Sequence, residues 1–222
     1  MLKIADMLEE AEAKDQQEAE NFVQQLYSPQ RSSLDFTDKK QDWILGTFTK
    51  LYNRYTCPDF GRPELVWARR NMPGTNHADF SVYGADKSYL WDIEVAALFP
   101  QPPVKNPKRY EDFWPYPVHP YPSNRSTSNP AVHDVDIDQP RKSKPYAILK
   151  RLIETHLRDQ YPPYWLVIYD NEFWVQDRGQ LEGLIRQILQ KNVDRLPVNL
   201  KQVWAFSLPS NGKGVLIQVE AF

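Results

Sequence analysis

Asp79 and the run Trp91-Asp92-Ile93-Glu94-Val95-Ala96 hold the acidic residues whose types and spacing could do chemistry. Residues two apart on a strand share a face, so Asp92, Glu94 and Ala96 point one way while Trp91, Ile93 and Val95 turn into packing. Two carboxylates on one face of an otherwise apolar strand are costly to bury unless a cation neutralises them. Mg²⁺, or Mn²⁺ in its place, suits such a site, because one or two carboxylates with water and phosphate complete its preferred oxygen shell. Bound there, it would lower the pKa of an attacking water and stabilise charge at phosphoryl oxygens. The alternative for the same residues is the solvated outer face of an edge strand.

The elements that must position these residues follow from periodicity and breakers. Residues 2–27 predict an amphipathic helix carrying Ile4, Leu8, Ala11, Phe22 and Leu26, stopped by Ser28-Pro29. It would pack on its own domain or serve as a homodimer contact or protein-partner arm. A second helix, capped by Thr37, sets Trp43, Phe48, Leu51, Tyr52 and Tyr55 on one face and ends before Cys57-Pro58. Three strands follow, Glu64 to Arg70, Asp79 to Tyr83 and Tyr89 to Leu98, separated by the turn formers Met72-Pro73-Gly74-Thr75-Asn76 and Gly84-Ala85-Asp86. Such short connections imply an antiparallel meander.

Ten of the 19 prolines fall between Pro100 and Pro140, interleaved with Tyr110, Phe113, Trp114, Tyr116 and Tyr121. That texture excludes a continuous helix or strand and predicts an ordered, extended insertion over 100–140. A third helix begins near Pro145 and carries Ile148, Leu149, Leu152, Ile153 and His156 inward. Tyr164 to Tyr169 is an apolar run suited to a strand buried on both faces. A helix from Gln180 to Lys191 and strands Gln202 to Leu208 and Gly214 to Glu220, joined by Ser210-Asn211-Gly212, complete residues 171–222.

Taken in order, residues 37–170 predict helix, three meandering strands, helix and buried strand. This α-β-β-β-α-β order, with Ala78-Asp79-Phe80 at the second strand and Asp92-Ile93-Glu94 on the third, resembles the PD-(D/E)xK nuclease superfamily. The resemblance implies an α/β (α+β) restriction-endonuclease-like core with a mixed central sheet flanked by helices. It further implies that Asp79 and Glu94, helped by the Val95 backbone carbonyl, ligate the metal. The chain departs from the family pattern two residues after Glu94, where Ala96 stands in place of the motif lysine. Two repairs are compatible with the family: a lysine migrated to the following helix, with Lys144 ahead of Lys150, or a motif shifted to Asp92-Ile93-Glu94 with Glu94 at the lysine position.

The resemblance therefore predicts a metal-dependent phosphodiester hydrolase acting on nucleic acid, DNA before RNA. Its alternative is a catalytically inactive scaffold that binds or assembles. Arg62, Arg69, Arg70, Lys105, Lys108, Arg109, Arg141, Lys142, Lys144, Lys150 and Arg151 flank the site in sequence and would form a phosphate-tracking rim if they converge; otherwise they are a solvated surface.

Composition bounds the rest. The 222 residues, 41% apolar and 13% aromatic, suffice for a single domain over 1–222 with a full core. A single cysteine, Cys57, excludes an internal disulfide and a cysteine zinc cluster, which fits a cytoplasmic location. The first residues lack the apolar run of a signal peptide or membrane span, so no membrane partner is expected. Residues 1–20 carry seven acidic and two basic groups, a net of −5 against −2 for the whole chain, leaving +3 on the body. Eight glycines form no phosphate-binding loop. His77, two residues before Asp79, could assist at the site or be merely solvated; His133 to Asp138, in the insertion with His119, could bind a metal or be an acidic loop; and Cys57 has no nucleophile signature.

Overall fold

The structure is a computed structural model that describes residues 1–13, 37–56, 61–72, 74–98, 144–170, 178–207 and 215–220. Seven strands form one sheet in chain order: β1 (Leu2–Lys3), β2 (Trp67–Arg70), β3 (Phe80–Tyr83), β4 (Tyr89–Leu98), β5 (Tyr164–Asp170), β6 (Leu200–Ser207) and β7 (Val215–Glu220). The helices are α1 (residues 4–13), α2 (Thr37–Tyr55), α3 (Lys144–Thr155) and α4 (Arg178–Lys191). Strands β1 to β4 pair antiparallel, β4 to β6 pair parallel, and β7 returns antiparallel on β6. The architecture is mixed α/β, and from α2 to β5 its elements run α-β-β-β-α-β.

Side-chain alternation on the strands divides the apolar residues into two layers. Ile93, Val95, Trp165, Val167, Tyr169, Trp204 and Phe206 join Ile4, Leu8, Trp43, Phe48 and Tyr52 from α1 and α2. Ala96, Leu166, Ile168, Val203 and Ala205 join Tyr146, Leu149, Ile153, Leu184 and Ile188 from α3 and α4. The sheet thus separates two helical layers, and all seven residues of β5 are buried, as befits a strand covered on both faces. Each large side chain withdrawn from water contributes roughly 1.5–3 kcal/mol, so the stacked Trp91–Trp165 rings, with centroids 4.1 Å apart, help hold β4 against β5.

The expected strand and helix order is present, with local differences. Leu2 and Lys3 pair with Ala68 and Trp67, so the first helix starts at residue 4 and not at 2. Its Ile4, Met7, Leu8 and Ala11 lie in the core, so the apolar face of residues 4–11 is covered by the chain's own α2 layer. Residues 14–27 lie outside the described residues. Strand β2 begins at Trp67, not Glu64, because the Leu65 N–H donates to Asn53 Oδ1 of α2 at 3.0 Å. Tyr55, expected inward, is exposed in the last turn of α2 under the Arg54 guanidinium. The insertion over 100–140, with His119 and His133, and Cys57 also lie outside the described residues.

Candidate functional site

The β3–β4 ladder ends at Phe80 opposite Ile93, so Asp79 stands just beyond the last pair and over the continuing β4. Asp79 Oδ2 accepts the Val95 N–H at 2.9 Å, and its Oδ1 accepts Gln41 Nε2 at 3.0 Å. Gln41 sits in the first turns of α2 and is itself oriented by Arg70, whose Nη1 donates to Gln41 Oε1 at 2.7 Å and Nη2 to Asp42 at 2.6 Å. Glu94, the neighbour of Val95 on β4, is buried at 7% exposure.

The two acids lie close enough for the Asp79 charge to act on Glu94. Burial pushes Glu94 up to about 8, and the Asp79 charge adds to the shift against a weaker opposing field from Arg158. Burial also raises Asp79, opposed by the Val95 N–H, His156, Gln41 and Arg70. Two carboxylates in such contact resist ionising together, and a cation between them removes the conflict.

Val95 adds a third oxygen. N–H and C=O of one strand residue face the same edge, and those of its neighbours the opposite edge. The Asp92 N–H donates toward β5, to Pro163, while the Val95 N–H faces Asp79. The Val95 carbonyl consequently faces the β3 edge beyond the end of the ladder, on the side of Asp79. Among the described residues no group of three or more His, Cys, Asp or Glu side chains is placed to hold a metal ion. Two carboxylates and one carbonyl nevertheless match Mg²⁺, which keeps several waters and takes further oxygens from phosphate.

Asp92 belongs to a separate cluster. It is fully buried, with Oδ2 2.8 Å from His77 Nδ1 and Oδ1 accepting the Tyr89 hydroxyl at 3.2 Å. Burial first, then the Asp92 charge, raises the Tyr89 hydroxyl's pKa. His77, still 42% exposed, is tied to β4 through Asp92, bracing the turn that delivers Asp79.

The candidate lysines have other places. Lys144 opens α3, and its side chain lies outside the described atoms. Lys150 does not join the carboxylates: its ammonium pairs with Glu154 at 3.6 Å, one helical turn on, beside a cavity lined by Asn192, Arg195 and Pro197. The cationic fields that reach the acid pair come from Arg158 at Glu94 and from His156 and Arg70 at Asp79. Ala96, at the motif-lysine position, is 4% exposed in the apolar layer under α3.

The supporting residues Gln41, His156 and Arg158 carried little signal in the sequence. His156 was expected only on the inward side of α3. Its Nδ1 lies 2.7 Å from the Leu152 carbonyl, which fixes the proton on that nitrogen. Of the expected basic rim, Arg62 bonds Gln218 and stacks over Trp204, and Arg70 stacks over Phe80. Arg69 and Arg151 are exposed, and the positions from 105 to 142 lie outside the described residues. No family model, curated protein or solved structure matches the chain.

Proposed function

We propose that this chain is a metal-dependent phosphodiester hydrolase acting on nucleic acid, DNA before RNA, on a core resembling the PD-(D/E)xK nucleases. The observation that carries this reading is Asp79 at the open end of β3, its carboxylate held on the Val95 N–H next to Glu94 of β4, within an α-β-β-β-α-β order. Burial raises the pKa of both acids and the Asp79 charge raises Glu94 further, a charge arrangement suited to a divalent cation. When bound, Mg²⁺ or Mn²⁺ supplies positive charge and a water of lowered pKa.

The chain's residues do the positioning. Asp79, Glu94 and the Val95 carbonyl offer the ligand oxygens, and Gln41, itself braced by Arg70, keeps the Asp79 carboxylate from rotating. Hydrolysis adds water across one P–O bond: the attacking oxygen bonds to phosphorus, the leaving oxygen takes a proton, and one phosphate monoester and one hydroxyl result.

The second reading is a catalytically inactive scaffold serving binding or assembly. Ala96 favours it, since a buried methyl replaces the motif lysine and Lys150 is engaged with Glu154. The experiment that divides the two incubates the protein with single- and double-stranded DNA and RNA, with Mg²⁺, Mn²⁺ or chelator. The hydrolase reading predicts metal-dependent cleavage of at least one substrate. Intact substrates in every metal arm would favour the scaffold.

A further inference from the structure

The site has two carboxylates but no lysine at the motif position, so the group facing the substrate's phosphate must come from elsewhere in the fold. The described cations differ in how far their charge is already committed. Lys150 is paired with Glu154, and Arg70 is held by Asp42 and Gln41. Lys191 bonds the Tyr146 hydroxyl at 3.1 Å and lies over that ring. His156 anchors one ring nitrogen on Leu152.

Arg158 is different. It is half-buried in the connection between α3 and β5, and its field is the cationic one felt by Glu94. Its backbone N–H donates to the Tyr164 hydroxyl at 3.1 Å, and its Nη1 to the Leu157 carbonyl at 3.1 Å. Both acceptors are neutral, and among the described residues no carboxylate forms an ion pair with Arg158. Guanidinium has about five N–H donors, so the contact to Leu157 positions the group without exhausting it.

The register explains the placement. Tyr164 stands opposite Asp92 on the parallel neighbour of β4, and Leu166 opposite Glu94. Tyr164 and Leu166 both belong to the layer of α3 and α4, the face that Glu94 also occupies. Anchoring Arg158 on Tyr164 therefore holds it over the sheet face that carries Glu94.

We propose that Arg158 is a catalytic residue that binds the scissile phosphate beside Glu94, in the role that Ala96 cannot fill. The proposal rests on the hydrolase reading and names its phosphate-binding group. A guanidinium takes two phosphate oxygens at once and stays charged throughout the working pH range, so it stabilises the charge that gathers as the water oxygen attacks.

The test uses the full chain with Arg158→Met, Arg158→Lys and, as a control, Lys150→Met. Cleavage kinetics are measured with Mg²⁺, Mn²⁺ affinity by titration, and binding of inorganic phosphate in the presence of Mg²⁺. Arg158→Met should lower kcat by about 100-fold or more, weaken phosphate binding about tenfold, and leave Mn²⁺ affinity equal or tighter because a nearby positive charge is gone. Arg158→Lys keeps the charge without the fork and should recover part of both losses; it also serves if the Met variant fails to fold. Lys150→Met should match the parent. Parent-like kcat in Arg158→Met, or a loss of Mn²⁺ affinity that accounts for the fall in kcat, would overturn the proposal while leaving the hydrolase reading intact. If the parent cleaves nothing, phosphate binding decides: dependence on Arg158 upholds the phosphate contact while the hydrolase reading falls, and equal or absent binding in parent and variant rejects both.

Discussion

Replacing Glu94 with Gln should stabilise the metal-free protein at alkaline pH and change little at acid pH. Glu94 is raised in the folded state to about 8 from 4.5, so the folded chain holds its proton longer than the unfolded chain. Its contribution is fully present below about pH 4.5, declines as pH rises through the window, and is lost above about 8. At about 1.36 kcal/mol per pH unit the ceiling is about 5 kcal/mol. Asp79 beside it is only partly buried, and water entering there reduces the effect to the order of 2 kcal/mol. Gln at 94 keeps the side chain's size and polarity while removing the buried charge that the Asp79 carboxylate opposes. For a chain of this size, about 2 kcal/mol corresponds to roughly 4–8 °C in melting temperature. Thermal unfolding in chelator from pH 5 to 9 should show the variant level with the parent at pH 5 and several degrees above it at pH 8.5. A gap that does not change with pH, or a variant less stable than the parent at pH 8.5, would refute the reasoning.

Three further outcomes follow from the same geometry. Millimolar Mg²⁺ or Mn²⁺ should raise the melting temperature of the parent by mass action, and Asp79→Asn should abolish that rise in a thermal-shift assay. Asp92→Asn should lower stability by about 1–3 kcal/mol in urea unfolding, because it weakens a fully buried contact to His77, yet should retain the metal-induced rise. Gly46→Ala should destabilise by about 1–3 kcal/mol despite alanine's better helix propensity, since its new methyl would lie 2.6 Å from Leu8 Cβ.

Much of the frame was legible because its signals are local. Strand β4 has the expected limits, Tyr89 and Leu98, and α2 begins at Thr37. The run from Tyr164 is the buried parallel strand that its unbroken apolar character predicts. Asp79 could be set at the start of a strand from the turn formers before it. Its alliance with Glu94 and the Val95 N–H, however, depends on the β3–β4 register, which short apolar strands do not encode one residue at a time.

The supporting residues were harder for the same physical reason. Gln41 comes from a helix start, His77 from a turn and Arg158 from a connection, and the mutual placement of such elements is decided by packing. One signal was available and missed: Lys150 and Glu154 are four apart on a helix, the spacing that favours their pairing with each other. The opening Leu2-Lys3 strand had too little length to announce itself, since its pairing with β2 is set by the turn into α1 and the burial of Ile4.

The most direct test is an anomalous-scattering map from a crystal of the full chain grown with Mn²⁺. The account predicts one strong peak within about 2.0–2.3 Å of oxygens from Asp79, Glu94 and the Val95 carbonyl. A well-ordered site without a peak, or Mn²⁺ bound only elsewhere, would contradict it.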